Sequence, residues 1–107
     1  MRVQNMISSN GNTVPNQFIV YDNEKTYFQS YDSIIALIKN GITYLDRYYW
    51  DYSVTTGKYR NAFLGENIYA TREKIDKGKY ILKDLNFEKN KLKTKGIIIF
   101  YSSAFFL

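Results

Sequence analysis

The sequence contains no cysteine and no histidine. Without cysteine there are no disulfides and no thiolate metal sites, and the cytosol is the natural compartment. Without histidine, the commonest metal ligand is missing, and histidine-based triads, cysteine–histidine dyads and the usual zinc sites are excluded. Catalysis would have to use carboxylates, lysine or tyrosine. We therefore expect a protein that binds rather than catalyses, with no cofactor and with no catalytic or metal-ligating residue.

The sequence also lacks an apolar run long enough to cross a membrane. Its most apolar stretch, Gly96 to Leu107, is well short of the roughly 20 residues that a spanning helix needs. Residues 87–107 are predicted as a basic and then apolar tail that adds a strand to the sheet, with a homodimer contact or a membrane-surface anchor as alternatives. Residues 1–16 contain the only proline and have no signal-peptide pattern, so they are predicted as a flexible lead.

The overall composition is typical of one globular domain. The chain has 107 residues, 45% of them hydrophobic, and a formal net charge of +5. The charge is uneven, because Arg72 to Lys95 holds nine Lys/Arg against four Asp/Glu. A basic region of this kind can attract nucleic acid, a membrane surface or an acidic protein, or it can be a solvated helix followed by a solubilising tail.

The domain is predicted to cover residues 17–86. The pattern of its first half indicates two β-hairpins. Gln17 to Ser30 alternates apolar and polar residues around a turn at residues 22–25. Ser33 to Leu45 fits either a helix ending at Gly41 or a second hairpin with Asn40-Gly41 as its turn. The β-branched residues favour the hairpin. A four-stranded antiparallel meander is therefore expected.

The second half predicts two short helices and a last strand. Ser53 is a suitable N-cap and Gly65 a suitable C-terminal glycine for the first helix. Its sheet-facing residues are predicted to be Val54, Ala62, Phe63 and Leu64, and its outward residues Lys58 and Arg60. A second helix is expected over residues 69–77 and a strand over 79–85. The predicted fold is α+β, with a four- to five-stranded antiparallel sheet packed against one or two short helices.

Five of the eleven tyrosines lie between Tyr44 and Tyr59. Tyrosine has a large apolar face and a polar tip, which suits a surface that is exposed before binding and buried afterwards. One interpretation is a core in which Trp50 and Phe63 fix the helix to the sheet. The others are a protein-binding face and a stacking platform for single-stranded nucleic acid. The binding residues under either of these are predicted to be Arg47, Tyr48, Tyr49, Tyr52, Lys58, Tyr59 and Arg60.

The carboxylates nearest to this segment are Asp46, Asp51 and Glu66. Asp46 and Asp51 could bind the metal ion of a metal-dependent hydrolase if their carboxylates pointed towards the same site. The alternative is that they cap turns or pair with Arg47 and Arg60, and this alternative is favoured.

Two runs of the sequence are distinctive: Ser30-Tyr31-Asp32-Ser33-Ile34-Ile35-Ala36, and the run from Tyr49-Trp50-Asp51-Tyr52-Ser53-Val54-Thr55-Thr56-Gly57-Lys58-Tyr59-Arg60 to Gly65. On these runs, and over roughly residues 16–86, the sequence resembles a family of small uncharacterised proteins from phages and mobile elements of Gram-positive bacteria. The resemblance assigns no role to any residue. It implies a cytoplasmic accessory protein of a bacterial host that binds and sterically inhibits a host protein or nucleoprotein complex, such as a CRISPR nuclease, in the manner of an anti-CRISPR protein. The alternative is an accessory protein that binds nucleic acid.

Overall fold

The computed structural model describes residues 1–87, which form a six-stranded sheet and two helices. The elements are β1 (Arg2–Ile7), β2 (Thr13–Asp22), β3 (Lys25–Ser30), β4 (Ser33–Lys39), β5 (Ile42–Asp46), α1 (Val54–Leu64), α2 (Ile68–Asp76) and β6 (Tyr80–Lys83). The strands are hydrogen-bonded in their sequence order, and each neighbouring pair is antiparallel except β5 and β6. The α+β prediction is confirmed, with more strands than the four or five expected.

Both predicted hairpins are present. Strands β2 and β3 meet with Asp22 opposite Lys25, and β4 and β5 meet with Lys39 opposite Ile42. The second turn is Asn40-Gly41, and both residues have positive φ, 52° and 75°. A two-residue turn of this kind has the twist that joins antiparallel strands. Residues 33–39 are therefore a strand, and the helical alternative is wrong.

Residues 1–16, expected to be a flexible lead, instead contain β1 and the start of β2. β1 pairs along β2 at the edge of the sheet. Of the six residues of this edge strand, only Met6 is buried in the core. A polar edge strand has little hydrophobic alternation, which is why the sequence pattern did not indicate it.

The last strand, β6, lies parallel to β5, with Thr43 opposite Tyr80 and Leu45 opposite Leu82. The two helices carry the chain from the end of β5 back to its beginning, and a connection of that length is what parallel neighbours require. The sheet is therefore mixed rather than purely antiparallel. Within β6 the alternation is as predicted, because Tyr80 and Leu82 pack against the core while Ile81 is exposed.

The helices pack on the sheet face that carries Phe28, Ala36 and Leu45. α1 begins after Ser53, whose hydroxyl accepts from the Thr56 N–H at 3.1 Å, and it ends at Gly65 with φ of 70°. Both caps are as predicted. The Phe63 ring stacks on Phe28 at a centroid distance of 5.7 Å, so Phe63 fixes the helix to the sheet as expected.

The rotation of α1 about its axis differs from the prediction. Its inward residues are spaced three and four apart, the spacing of one helix face, and they are Thr56, Tyr59, Arg60 and Phe63. Leu64 also contacts the core, whereas Val54 and Ala62 are exposed. The outward placement of Arg60 is wrong. The prediction followed the apolar residues, but the helix takes the face on which Tyr59 and Phe63 are adjacent.

No helix within residues 1–87 is long and apolar enough to cross a membrane. The predicted tail of residues 87–107, with its added strand or homodimer contact, lies outside the described residues apart from Phe87.

Candidate functional site

Residues 47–53 connect β5 to α1 and contain Tyr48, Tyr49 and Tyr52, and we call them the tyrosine segment. Asp46 fixes the start of this segment. Asp46 is fully buried. Its Oδ2 accepts hydrogen bonds from the backbone N–H groups of Tyr48 and Tyr49, at 3.0 and 2.8 Å. Its Oδ1 accepts from the Leu85 N–H at 2.8 Å and from the Asn86 side chain at 2.9 Å. One carboxylate therefore joins the end of β5, the tyrosine segment and the chain after β6.

The predicted binding residues fall into three groups by exposure. Tyr48 and Tyr52 are 67% and 69% exposed, and Arg47 and Lys58 are exposed as well. Tyr49 is partly buried and contacts the core. Tyr59 and Arg60 are buried, at 8% and 1% exposure. The last two cannot offer a surface to a partner, and this corrects their predicted role.

Arg60 is held by groups that converge on its guanidinium. Nη1 donates to the Trp50 carbonyl at 2.7 Å and lies 3.3 Å from Asp51 Oδ1, while Nη2 donates to the Asn61 side chain at 2.9 Å. The guanidinium carbon lies 5.3 Å from the centre of the Trp50 ring, within cation–π range. Asp51 also pairs with Arg72 of α2 at 3.3 Å. Arg60 therefore connects α1 to the tyrosine segment as a structural residue.

A cavity of about 320 Å³ lies between the β3–β4 turn and the amino end of α1. It is lined by Tyr31, Tyr49 and Tyr52, by Asp32, by Ile35 and by four serine and threonine side chains. We call it the tyrosine cavity. Of the three tyrosines, sequence reasoning missed Tyr31. The β3–β4 turn brings it beside the segment from which Tyr49 and Tyr52 come, and no local pattern indicates that proximity.

A second and more open depression, of about 550 Å³, adjoins the tyrosine cavity. The two share Tyr52 and Ser53. The second is also lined by Val54 and Lys58 of α1 and by Ile68 of α2, and we call it the helical cavity. Val54 is 92% exposed although it is aliphatic. Tyr52 thus stands between two adjoining concave surfaces.

Tyr49, in the wall of the tyrosine cavity, is close enough to carboxylates for them to act on its hydroxyl. Burial raises the pKa of Tyr49, and the carboxylates of Asp46 and Asp32 raise that pKa further because they oppose a second negative charge nearby. The Tyr49 ring meets the Tyr52 ring edge-on, with 5.4 Å between their centroids. Tyr49 therefore stays protonated at neutral pH and presents a neutral aromatic wall.

The three carboxylates considered for catalysis each have separate partners. Asp46 accepts four hydrogen bonds, Asp51 pairs with Arg60 and Arg72, and Glu66 accepts from Lys74, Thr71 and Tyr80. Within residues 1–87, no three Asp or Glu side chains lie close enough together to hold a metal ion. The pairing of Asp51 with Arg60 and the capping by Asp46 match the structural alternative.

Glu66 predicts a measurable dependence of stability on pH. Burial alone would raise the pKa of Glu66, but the hydrogen bonds from Lys74, Thr71 and Tyr80 outweigh it and hold the pKa below its ordinary value. A lowered pKa in the folded state gives stability that is present above the unfolded pKa of about 4.3 and is lost as pH falls through the folded value. We expect the free energy of unfolding to fall between pH 5 and pH 3 by more in the wild type than in Glu66→Gln.

Urea unfolding at several pH values measures this difference. The control is Glu73→Gln, because Glu73 is 62% exposed and pairs with Lys77, the residue that caps the end of α2. An exposed pair of this kind contributes little to stability. Parallel pH profiles for the wild type and Glu66→Gln would contradict the assignment.

One family model matches the chain, and it covers residues 1–83. The matched region contains all the strands and both helices described above, the tyrosine cavity and the helical cavity. No curated protein and no solved structure matches the chain. The chain belongs to DUF8033, a family of unknown function.

Proposed function

We propose that this protein works by binding another protein through the surface around Tyr52, and that it acts sterically. The observation that carries the proposal is that large apolar side chains surround two adjoining cavities. Tyr31, Tyr52 and Val54 are 56%, 69% and 92% exposed, and each lines the tyrosine cavity or the helical cavity. Exposed aromatic residues at the edge of concave surfaces are typical of interface hot spots.

The scaffold under this surface supports the same proposal. The backbone of the tyrosine segment is anchored by the buried Asp46, and its Trp50 carbonyl by the buried Arg60. A surface whose backbone is held in place loses little conformational entropy on association. The exposed tyrosines are therefore presented on a fixed frame.

The biological setting is proposed from the sequence resemblance. It favours an accessory protein of a phage or mobile element in the cytoplasm of a bacterial host. Its target would be a host protein or nucleoprotein complex, such as a CRISPR nuclease. The protein would inhibit this target by covering part of the target's surface. The lack of histidine and cysteine supports inhibition without chemistry.

The test compares Tyr52→Ala with Tyr69→Ala. Tyr69 is 74% exposed and lines neither cavity, so it is a matched control for the loss of an exposed ring. A partner captured from the bacterial host should be purified and titrated against each variant. We expect Tyr52→Ala to weaken the affinity by ten-fold or more, as at an interface hot spot, and Tyr69→Ala to leave it within about two-fold. Equal affinities for both variants, or no partner that binds saturably, would contradict the proposal.

Nucleic acid binding is a second candidate because Arg47 and Lys58 are exposed near the exposed tyrosines. The described residues, however, have eleven Lys/Arg against nine Asp/Glu, so most of the net charge of +5 comes from beyond Phe87. This candidate predicts that single-stranded oligonucleotides bind with an affinity that falls steeply with salt. Lys58→Met should reduce that salt dependence. Absence of binding at low salt would rule the candidate out.

A further inference from the structure

We propose that the tyrosine cavity receives the cationic side chain of a lysine or arginine from the partner protein. This rests on the proposed function, and it adds the chemistry that the partner must supply. Three kinds of observation carry it: the charge of the cavity, its aromatic walls and the way in which Tyr31 is held.

The charge of the cavity is opposite to that of the chain. Among residues 1–87, nine line the cavity; of these nine, Asp32 is the one charged residue and none is lysine or arginine. The chain as a whole has a net charge of +5. The Asp32 carboxylate belongs to the lining itself, and both Asp32 and the buried Asp46 act on the Tyr49 hydroxyl in the cavity wall. A concave site with one sign of charge concentrates ligands of the opposite sign, and the occupant favoured here is a cation.

The walls are suited to a cation that has an apolar stem. Tyr31, Tyr49 and Tyr52 line the cavity together, and the Tyr49 and Tyr52 rings meet at 67° rather than stacking flat. Rings set at an angle to each other can direct their electron-rich faces towards one enclosed group, as in the aromatic cages that bind ammonium ions. The volume of about 320 Å³ is at the lower end of the range for ligand sites, which suits one long side chain.

Tyr31 is held in a conformation that a bulky residue rarely adopts. Its φ is 56°, in the left-handed region. Its N–H donates to the Asn16 carbonyl at 2.7 Å, and its carbonyl accepts from the buried Gln29 side chain at 2.6 Å. Strained backbone that is held by surrounding bonds is concentrated at ligand sites. The two bonds fix the turn from which the Tyr31 ring extends.

An anionic occupant is disfavoured by the state of the nearby helix end. Two of the first four N–H groups of α1 are already satisfied, because Thr56 N–H donates to the Ser53 hydroxyl and Gly57 N–H to the Ser53 carbonyl. The Thr56 hydroxyl also lies 3.0 Å from the Ser30 hydroxyl. The N–H groups of Thr56 and Gly57 are therefore directed at Ser53 and not at an open site for phosphate or carboxylate.

The first experiment uses capped amino acids as probes. N-acetyl-arginine amide and N-acetyl-lysine amide are titrated while the tyrosine ring signals are followed by NMR, with the neutral citrulline and norleucine analogues as matched controls. We expect saturable shifts of the Tyr31, Tyr49 and Tyr52 rings with a Kd of about a millimolar, as befits a single side chain, and no saturation with the neutral analogues. Asp32→Asn should weaken binding about five-fold. Tyr52→Phe should retain it and Tyr52→Leu should lose it.

Three results would overturn the inference. One is equal binding of charged and neutral probes. Another is a matching shift caused by inorganic phosphate, which would make the cavity an anion site. The third is a free diamine such as putrescine binding more than ten-fold tighter than the capped residues, which would make the occupant a small metabolite.

The captured partner separates this inference from the proposed function. If Tyr52→Ala weakens partner binding while Asp32→Asn and high salt do not, the surface binds a protein but the cavity takes no cation, and only the inference fails. If neither variant changes the affinity, both fail. The expected result is that both variants weaken binding, and that charge reversal of one lysine or arginine on the partner abolishes the effect of Asp32→Asn.

Discussion

Replacing Asp46 by asparagine is expected to lower the free energy of unfolding by about 3–5 kcal/mol, because a buried carboxylate with four donors would become an amide. Each oxygen of Asp46 accepts two hydrogen bonds, and all the donors are N–H groups. An amide of the same shape has one oxygen and one nitrogen. Whichever way it turns, its NH₂ faces two donors, which leaves those donors unsatisfied in a fully buried position.

The loss would extend over three parts of the molecule. Asp46 joins β5 to the backbone of Tyr48 and Tyr49, and also to Leu85 and Asn86. Asn86 in turn exchanges hydrogen bonds with both the N–H and the carbonyl of Ile34 in β4. Leu85 and Asn86 lie 39 and 40 residues after Asp46, so the unfolded chain does not contain these two hydrogen bonds. Replacing Asp46 should therefore lower stability mainly by weakening the folded state, with little effect on the unfolded chain.

Urea titration followed by tryptophan fluorescence measures this change, since Trp50 lies in the segment that Asp46 anchors. Asp76→Asn is the matched control, because Asp76 is exposed at the end of α2, and it should change stability by less than about 0.5 kcal/mol. Domains of this size have about 5–15 kcal/mol in total, so Asp46→Asn can abolish the cooperative transition altogether. A variant within 1 kcal/mol of wild type would show that the four bonds contribute little.

Much of the fold follows from local signals that were readable in the sequence. The Asn40-Gly41 turn, the Ser53 cap and the Gly65 stop each act over a few residues, and all are present. The second helix, which ends before Gly78, and the alternation of β6 were also predictable. Such elements are determined by backbone preferences and by hydrophobic spacing, which do not depend on distant residues.

The features that were not predicted depend on contacts between distant residues. β1 is recognisable only through its pairing with β2, and the parallel direction of β6 only through the path of the two helices. The candidate site was partly predictable. Tyr49 and Tyr52 were identified, but Tyr31 reaches the same cavity from a turn 18 residues before Tyr49. A tyrosine-rich run in the sequence predicts a binding surface near those tyrosines. It cannot predict which distant turn folds against them, because that depends on tertiary contacts.

Arg60 is the clearest case in which the composition of a helix was misleading, and it carries the last prediction. Arginine is almost never fully buried unless it is paired. Here the helix buries it because the face with Tyr59 and Phe63 includes it, and because polar groups surround the guanidinium. We expect Arg60→Met to lower the free energy of unfolding by about 2–4 kcal/mol, since the variant keeps the apolar stem and loses the bonds.

The environment of Asp51 determines how large the loss of stability in Arg60→Met is within the range of about 2–4 kcal/mol. Breaking a buried ion pair costs about 3–5 kcal/mol when the remaining charge is left unpaired and buried. The Asp51 side chain is 38% exposed and keeps its second partner, Arg72, so it is rehydrated at small cost. The larger cost comes from the Trp50 carbonyl, which loses the shortest of the hydrogen bonds that the guanidinium donates. A value near the middle of the range is therefore expected.

Lys58→Met is the control for Arg60→Met, because Lys58 is on the same helix, is exposed, and makes a cation–π contact with Tyr59. It should shift the thermal midpoint by a few degrees at most, whereas Arg60→Met should shift it by more than about 10 °C in a domain of this size. Arg60→Lys sharpens the test, since an ammonium keeps the charge but cannot bond Trp50 and Asn61 in the same geometry. If Arg60→Lys is as stable as wild type, charge alone would account for the burial of Arg60. If it is destabilised nearly as much as Arg60→Met, the directed bonds hold the tyrosine segment in place.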